Sequence, residues 1–209
     1  TAAAETAAAS APLSWRELAA LAWACGAAAL LLQRAWAALR FHRALRRTSR
    51  PVADRETLAL FAACKEELRV RRAVRLERCP LAGTPMLVGL LRPRVLLPGA
   101  PADPDALRFI LLHELTHLKS GDLFYKLAGL AACVVHWFNP FAWLALHRIN
   151  ALCEPACDER LARPMDADER RGYGRAILGA MGTVRAAPPL STPFSLHKED
   201  VKRRLTLMM

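Results

Sequence analysis

The sequence predicts an α+β domain, mostly helical, with a small sheet and at least one membrane helix. Three observations carry this reading. From Leu18 to Leu32 every residue is apolar or glycine, short β-like runs cluster between Val74 and Leu97, and long helical patterns lie on either side of them. At 209 residues, 54% of them apolar, the chain can bury a core of its own and sits near the upper edge of one domain.

Taken in order, the Ala-rich opening TAAAETAAAS reads as a boundary inside a longer protein. The apolar run LAALAWACGAAALLL continues amphipathically to Leu39 and predicts a helix. Its uncharged stretch is shorter than the roughly 20 residues of a simple span, so Trp15 and Trp36 are expected at the bilayer edges, with Arg34 snorkelling. Arg40, Arg43, Arg46, Arg47 and Arg50 follow the run, as on a cytoplasmic flank, whereas a signal peptide carries its basic residues in front. The net charge of +11 is thereby assigned to a membrane surface; no nucleic-acid recognition motif accompanies it. Residues 1–50 are read as an N-terminal segment with its membrane helix and basic flank, 51–185 as the catalytic domain, and 186–209 as a basic linker or tail.

A polar break with Pro51 leads into a helix over Glu56 to Arg71. Val74-Arg75-Leu76, Met86 to Leu91 and Arg94 to Leu97 are the expected strands. Pro93 argues for an edge or a bulged hairpin. Asp103 to Asp105 opens a helix from about Ala106 to Lys119, stopped by Ser120-Gly121-Asp122. A kinked apolar helix is expected over Leu123 to Leu146, lying against the catalytic domain or the membrane, followed by another over Arg148 to Leu161. The six cysteines are scattered without the density of a disulfide scaffold, which points to a reducing compartment; Cys153 and Cys157 read as packing thiols.

The chemistry is carried by His113-Glu114-Leu115-Thr116-His117, an H-E-x-x-H inside the helix that starts near Ala106. Histidines four apart stand one above the other on a helix face and can reach one ion, while the adjacent glutamate points toward water at the metal. Zinc brings the pKa of that water toward neutrality, and Glu114 can take its proton as a peptide carbonyl is attacked. A catalytic zinc needs a third protein ligand and an open position. Glu154 is the best candidate, with Asp122 and Glu159 as competitors. Asp158, four residues after Glu154, could accept the free N–H of a ligand histidine and fix its tautomer. Tyr173, His147 and Arg148 are alternative donors for the transition state. His136 and His147 read as core or interfacial histidines, and Trp137, Phe138, Phe141 and Trp143 as either membrane-interface or core aromatics.

HELTHLKSGD, HWFNPFAW and CEPACDERL, in this order, together with the upstream VGLLRPRVLLPG, resemble the integral-membrane zinc metallopeptidases of the BlaR/MecR type. The resemblance covers about Leu76 to Leu161. It implies a gluzincin-like domain at the cell membrane with its catalytic part facing the cytoplasm. It implies Zn2+ held by His113, His117 and Glu154, with Glu114 as base and Asp158 behind a ligand. It further implies regulatory proteolysis of a protein substrate, a transcriptional repressor or the chain itself, with self-cleavage expected near Phe194 to Arg204, an extended substrate at the Val88 to Leu91 edge, and room for a homo-oligomer. β-Lactam sensing is not carried over, because the chain shows no serine acylation motif. The rival readings are a CAAX-processing or quality-control membrane metalloprotease, and a non-catalytic scaffold stabilised by zinc. The short interval between His117 and Glu154 disfavours the first; Glu114, which a structural site would not need, disfavours the second.

Overall fold

The computed structural model describes residues 13–99 and 103–182. Helix α1 (Trp15–Thr48) starts from a capping box, in which the Ser14 side chain accepts from Glu17 N–H and Glu17 returns a bond to the Ser14 N–H. At 1.5 Å per residue its 34 residues extend about 51 Å. It is long and apolar enough to cross a membrane, and its apolar window is unburied by the rest of the chain. Its middle touches the later helices at Trp23 and Gly26, and its last turns join the core: Leu45, 2% exposed, packs with Phe41 beside Cys79, Ala82, Val88 and Leu96.

The strands β1 (Arg50–Pro51), β2 (Arg75–Arg78), β3 (Met86–Val88) and β4 (Arg94–Leu97) form one mixed sheet in the order β1-β2-β4-β3. β2 and β4 are parallel, and β3 runs antiparallel to β4 at the sheet's edge. Side chains alternate between two buried faces: Val95 and Leu97 enter the main core, whereas Leu96 meets the end of α1. That double burial makes Arg94 to Leu97 an almost unbroken apolar run. The expected edge position holds for β3 and fails for β4, which lies inside the sheet. Pro93 precedes β4, where its missing N–H removes no rung, and its carbonyl accepts from Arg75 N–H.

α2 (Arg55–Glu67), capped by Asp54, and α3 (Pro104–Ser120) pack over one face of the sheet. α3 is delimited by chemistry visible in the sequence. Asp103 accepts from Ala106 N–H, Pro104 occupies the first turn, and Gly121 closes the helix at φ +72°, where a side chain would be strained. Every residue from Phe109 to His117 is buried.

The stretch expected as one kinked helix is instead two. α4 (Asp122–Val135) ends at His136, and α5 (Pro140–Ala162) returns beside it, absorbing the helix expected from Arg148. The break is caused by Asn139, whose side chain accepts from Phe141 N–H, and by Pro140 in the first turn. A last helix, α6 (Ala167–Gly182), fills the remaining side of the core with Tyr173, Ala176 and Ile177.

Gly89 turns the chain from β3 toward β4 at φ +89°, and an added Cβ there would lie 2.6 Å from the Arg92 carbonyl oxygen. Gly89→Ala is therefore expected to destabilise the domain by about 1–3 kcal/mol, read as a lowered midpoint in denaturant unfolding in detergent. An unchanged midpoint would show that this turn yields freely.

Candidate metal centre

α3 carries His113, Glu114 and His117 into the interior, where an unpartnered polar group would be costly. Each has partners. His117 Nδ1 lies 2.5 Å from Asp122 Oδ2, the first residue of α4. An ionised carboxylate can only accept, so this nitrogen carries a proton and Nε2 is the nitrogen left to take a second proton or a metal ion.

His113 is held through a relay. The Tyr173 hydroxyl donates to Asp158 Oδ1 at 2.6 Å and stands 2.8 Å from His113 Nδ1. Having given its hydrogen to the carboxylate, the phenol oxygen accepts from His113 Nδ1–H, which again leaves Nε2 as the nitrogen facing the site. Asp158 Oδ1 itself is 3.4 Å from Nδ1, so the tyrosine makes the shorter contact. Tyr173 and Asp158 are almost fully buried, at 0% and 1% exposure.

With both Nδ1 atoms engaged from behind, the two Nε2 atoms face each other at 3.0 Å. The third edge of this arrangement comes from α5: Glu154 Oε2 is 3.5 Å from His113 Nε2 and 3.6 Å from His117 Nε2. Two lone pairs and a carboxylate oxygen thus converge on one point. Burial raises the Glu154 carboxyl, but the two histidines outweigh it and hold the group well below the usual carboxylate range. Burial likewise pushes both imidazoles down, and the acidic partners, Asp122 at His117 and Cys157 and Asp158 at His113, reverse that and raise them.

Glu114, also buried, points the other way round the helix. Burial pushes its carboxyl up, partly offset by the two histidines and by a hydrogen bond from the Leu87 backbone. Leu87 belongs to the edge strand β3, so this carboxylate sits between the histidine pair and the sheet's open edge.

Of the residues singled out in the sequence, His113, Glu114, His117, Glu154 and Asp158 are brought together. Asp122 lies behind His117. Glu159 is exposed on α5, as are His147 and Arg148, and His136 is exposed at the end of α4. Tyr173 is committed to His113 Nδ1, away from the converging nitrogens, and is not a free transition-state donor. Cys157 was read as a packing thiol, yet it offers with His113 and His117 donor atoms all within 4.8 Å of one another. Its sulfur is 3.7 Å from His113 Nδ1, donates to the His113 carbonyl and also meets the His117 side chain. Its three-residue spacing from Glu154 on α5 was the signal available. The tail around Phe194 to Arg204 lies outside the described residues.

A buried histidine pair one helical turn apart, with a glutamate between and an acidic second helix closing over it, is the arrangement of a metallopeptidase. The chain belongs to the BlaR1 peptidase M56 family, whose model matches residues 2–208. It is 29% identical over 191 residues to the regulatory protein BlaR1 of Bacillus licheniformis, a match covering 90% of this chain and 32% of that protein. It is 30% identical over 97 residues to the methicillin resistance mecR1 protein of Staphylococcus aureus, covering 45% of this chain and 17% of the relative. The chain thus spans about a third of the Bacillus relative's length.

The raised imidazoles set a pH dependence for the metal-free protein. A group whose pKa is higher folded than unfolded contributes stability that is complete below its unfolded value, near 6.5 for histidine, and is lost as pH rises toward its folded value. Chelator-treated protein is expected to lose thermal stability progressively from about pH 6.5 toward about 12, and Asp122→Asn to flatten that decline. Identical pH profiles for the two proteins would exclude the Asp122 contact as its source.

Proposed function

We propose that this chain is the catalytic part of a membrane-bound zinc endopeptidase of gluzincin type, acting in regulatory proteolysis on a protein substrate, with its catalytic domain at the cytoplasmic face. The observation that carries the reading is the triangle of His113 Nε2, His117 Nε2 and Glu154 Oε2, with edges of 3.0, 3.5 and 3.6 Å. A tetrahedral ion with bonds of about 2.0–2.2 Å requires donors about 3.3–3.6 Å apart. The two edges to Glu154 meet that spacing and the edge between the histidines, at 3.0 Å, is shorter, so zinc would seat with the imidazoles drawn slightly apart; two nitrogens and one carboxylate suit zinc chemically.

Bound there, zinc would supply a Lewis acid that polarises a peptide carbonyl and acidifies water. Glu114 then accepts the proton of the attacking water and delivers it to the leaving amine; its buried position and raised carboxyl suit a base that must both take and return a proton. Asp122 and the Tyr173–Asp158 pair hold the two imidazoles in the tautomer that presents Nε2. An extended substrate segment would add to the free edge of β3, beside Glu114. Membrane attachment is supported by α1 and by the arginines from Arg40 to Arg50. The regulatory role follows the similarity to a regulatory protein of Bacillus licheniformis; a repressor or the chain itself is the substrate that the resemblance of the motifs implies.

Glu114→Gln is expected to keep one zinc per chain while proteolysis of casein, or of the chain itself, falls by about 10²–10⁴-fold. Glu154→Ala should purify with little zinc. Full zinc occupancy in Glu154→Ala would remove it from the ligand set, and wild-type rates in Glu114→Gln would remove the base. Tyr173→Phe, which keeps the ring and deletes the relay, should weaken zinc binding by about 10–100-fold in competition with a chromophoric chelator; unchanged affinity would reduce Tyr173 to core packing.

A further inference from the structure

The hairpin of α4 and α5 exposes an apolar tip that the catalytic reading leaves unexplained. Phe138 and Phe141 are 61% and 74% exposed, and Val135 and Leu144 are about half exposed. A tip of this kind in water would be costly, and its indole N–H groups would be free to bond to solvent. They are instead all used internally. Trp143 Nε1 donates to the Trp137 carbonyl at 3.0 Å, Trp137 Nε1 to the Trp23 carbonyl at 3.2 Å, and Trp23 Nε1 to the Val135 carbonyl at 2.8 Å. The Cys133 thiol donates to the Ala142 carbonyl, and the Asn139 side chain accepts from Phe141 N–H. Exposed apolar faces with internally satisfied donors are what a lipid environment demands.

The chain of indoles also ties the tip to α1, where Gly26 leaves room for the Trp137 ring. An added Cβ at Gly26 would lie 2.4 Å from that ring. Charge then marks a common level on the three helices. No Asp, Glu, Lys or Arg occurs from Leu127 to Leu146; Lys126 precedes this interval on α4 and Arg148 follows it on α5. On α1 the first charge after Trp23 is Arg34, whose guanidinium lies over the Trp143 ring at 5.9 Å. Helical rise puts Lys126 about 14 Å from Val135, Arg148 about 12 Å from Pro140, and Arg34 about 16 Å from Trp23. These are three independent helices, and their charge boundaries fall at nearly one distance below the tip.

We infer that α4 and α5 form a re-entrant hairpin that enters the bilayer beside α1 from the side of the basic flank, reaching about half of the roughly 30 Å hydrocarbon core. The inference rests on the proposed membrane crossing of α1. It places the metal centre, at the base of α4 and on the later turns of α5, just outside the lipid.

Spin labels on the full chain in phosphatidylcholine–phosphatidylglycerol vesicles test it, using collision with oxygen, which enters lipid, and with a nickel chelate, which does not. In a Cys153→Ala background, the native exposed Cys25 reports on α1. Phe138→Cys reports on the tip and Asp168→Cys, at a side chain 87% exposed on α6, reports on water, both with Cys25→Ala added. The expected result is loss of nickel contact at positions 25 and 138, with position 168 fully open to nickel. If position 25 is shielded but 138 is as open to nickel as 168, the hairpin is not in the membrane and the inference fails while the α1 reading stands. A label at 138 that reports headgroup depth means the hairpin lies flat on the surface, which also overturns it. Nickel contact at position 25 would overturn the membrane crossing of α1 and the hairpin with it.

Discussion

The structure turns on two imidazole nitrogens facing each other at 3.0 Å inside an apolar core. Like lone pairs at that distance repel unless a proton or a cation lies between them, so the rest of the domain must hold them there. Asp122 from α4 and the Tyr173–Asp158 pair from α6 and α5 do so from behind, and Glu154 closes the third side. Four helices are needed to arrange six side chains, which is why a catalytic motif confined to α3 depends on so much of the later sequence. The raised imidazoles and depressed Glu154 of the metal-free site express the same demand in protons that a metal would meet as charge.

Architecture follows from this. α3 is buried on all sides along the motif, and its apolar positions, Leu111, Leu112 and Leu115, are fully enclosed by the sheet, α2 and α6. Such enclosure excludes water from the backs of the histidines and leaves their front toward Glu154 and the edge strand. The edge strand meets Glu114 through the Leu87 backbone, so the proposed base and the proposed substrate edge share one structural unit.

Where the sequence was legible, local chemistry and burial agreed. α3 could be read because Asp103, Pro104 and Gly121 punctuate it and the motif's spacing matches a helical turn. Glu154 and Asp158 were legible for the same reason, being four apart on one helix. The split between α4 and α5 was hidden because apolar residues continue through it; the Asn139-Pro140 signal was present but was read as a kink. β4 misled because Pro93 beside it was taken to disfavour a central strand, whereas a proline just before the strand costs no rung. α6 was not predicted, although Asp166 and Glu169 form a reciprocal cap at its start. Tyr173 therefore appeared as an isolated candidate donor. Its position behind His113 is set by contact across 60 residues, which no local pattern contains.

The Tyr173 hydroxyl is shared by three helices, accepting from α3 and donating to α5 while borne on α6. Thermodynamic reciprocity gives this arrangement a mechanical meaning. Any load that draws α6 away from the core lowers the affinity of the centre for its ion, and ion binding must resist that displacement by the same free energy. The last described helix is thus coupled to the occupancy of a site to which it contributes no ligand, and the tightness of the metal becomes a gauge of how firmly that helix is seated.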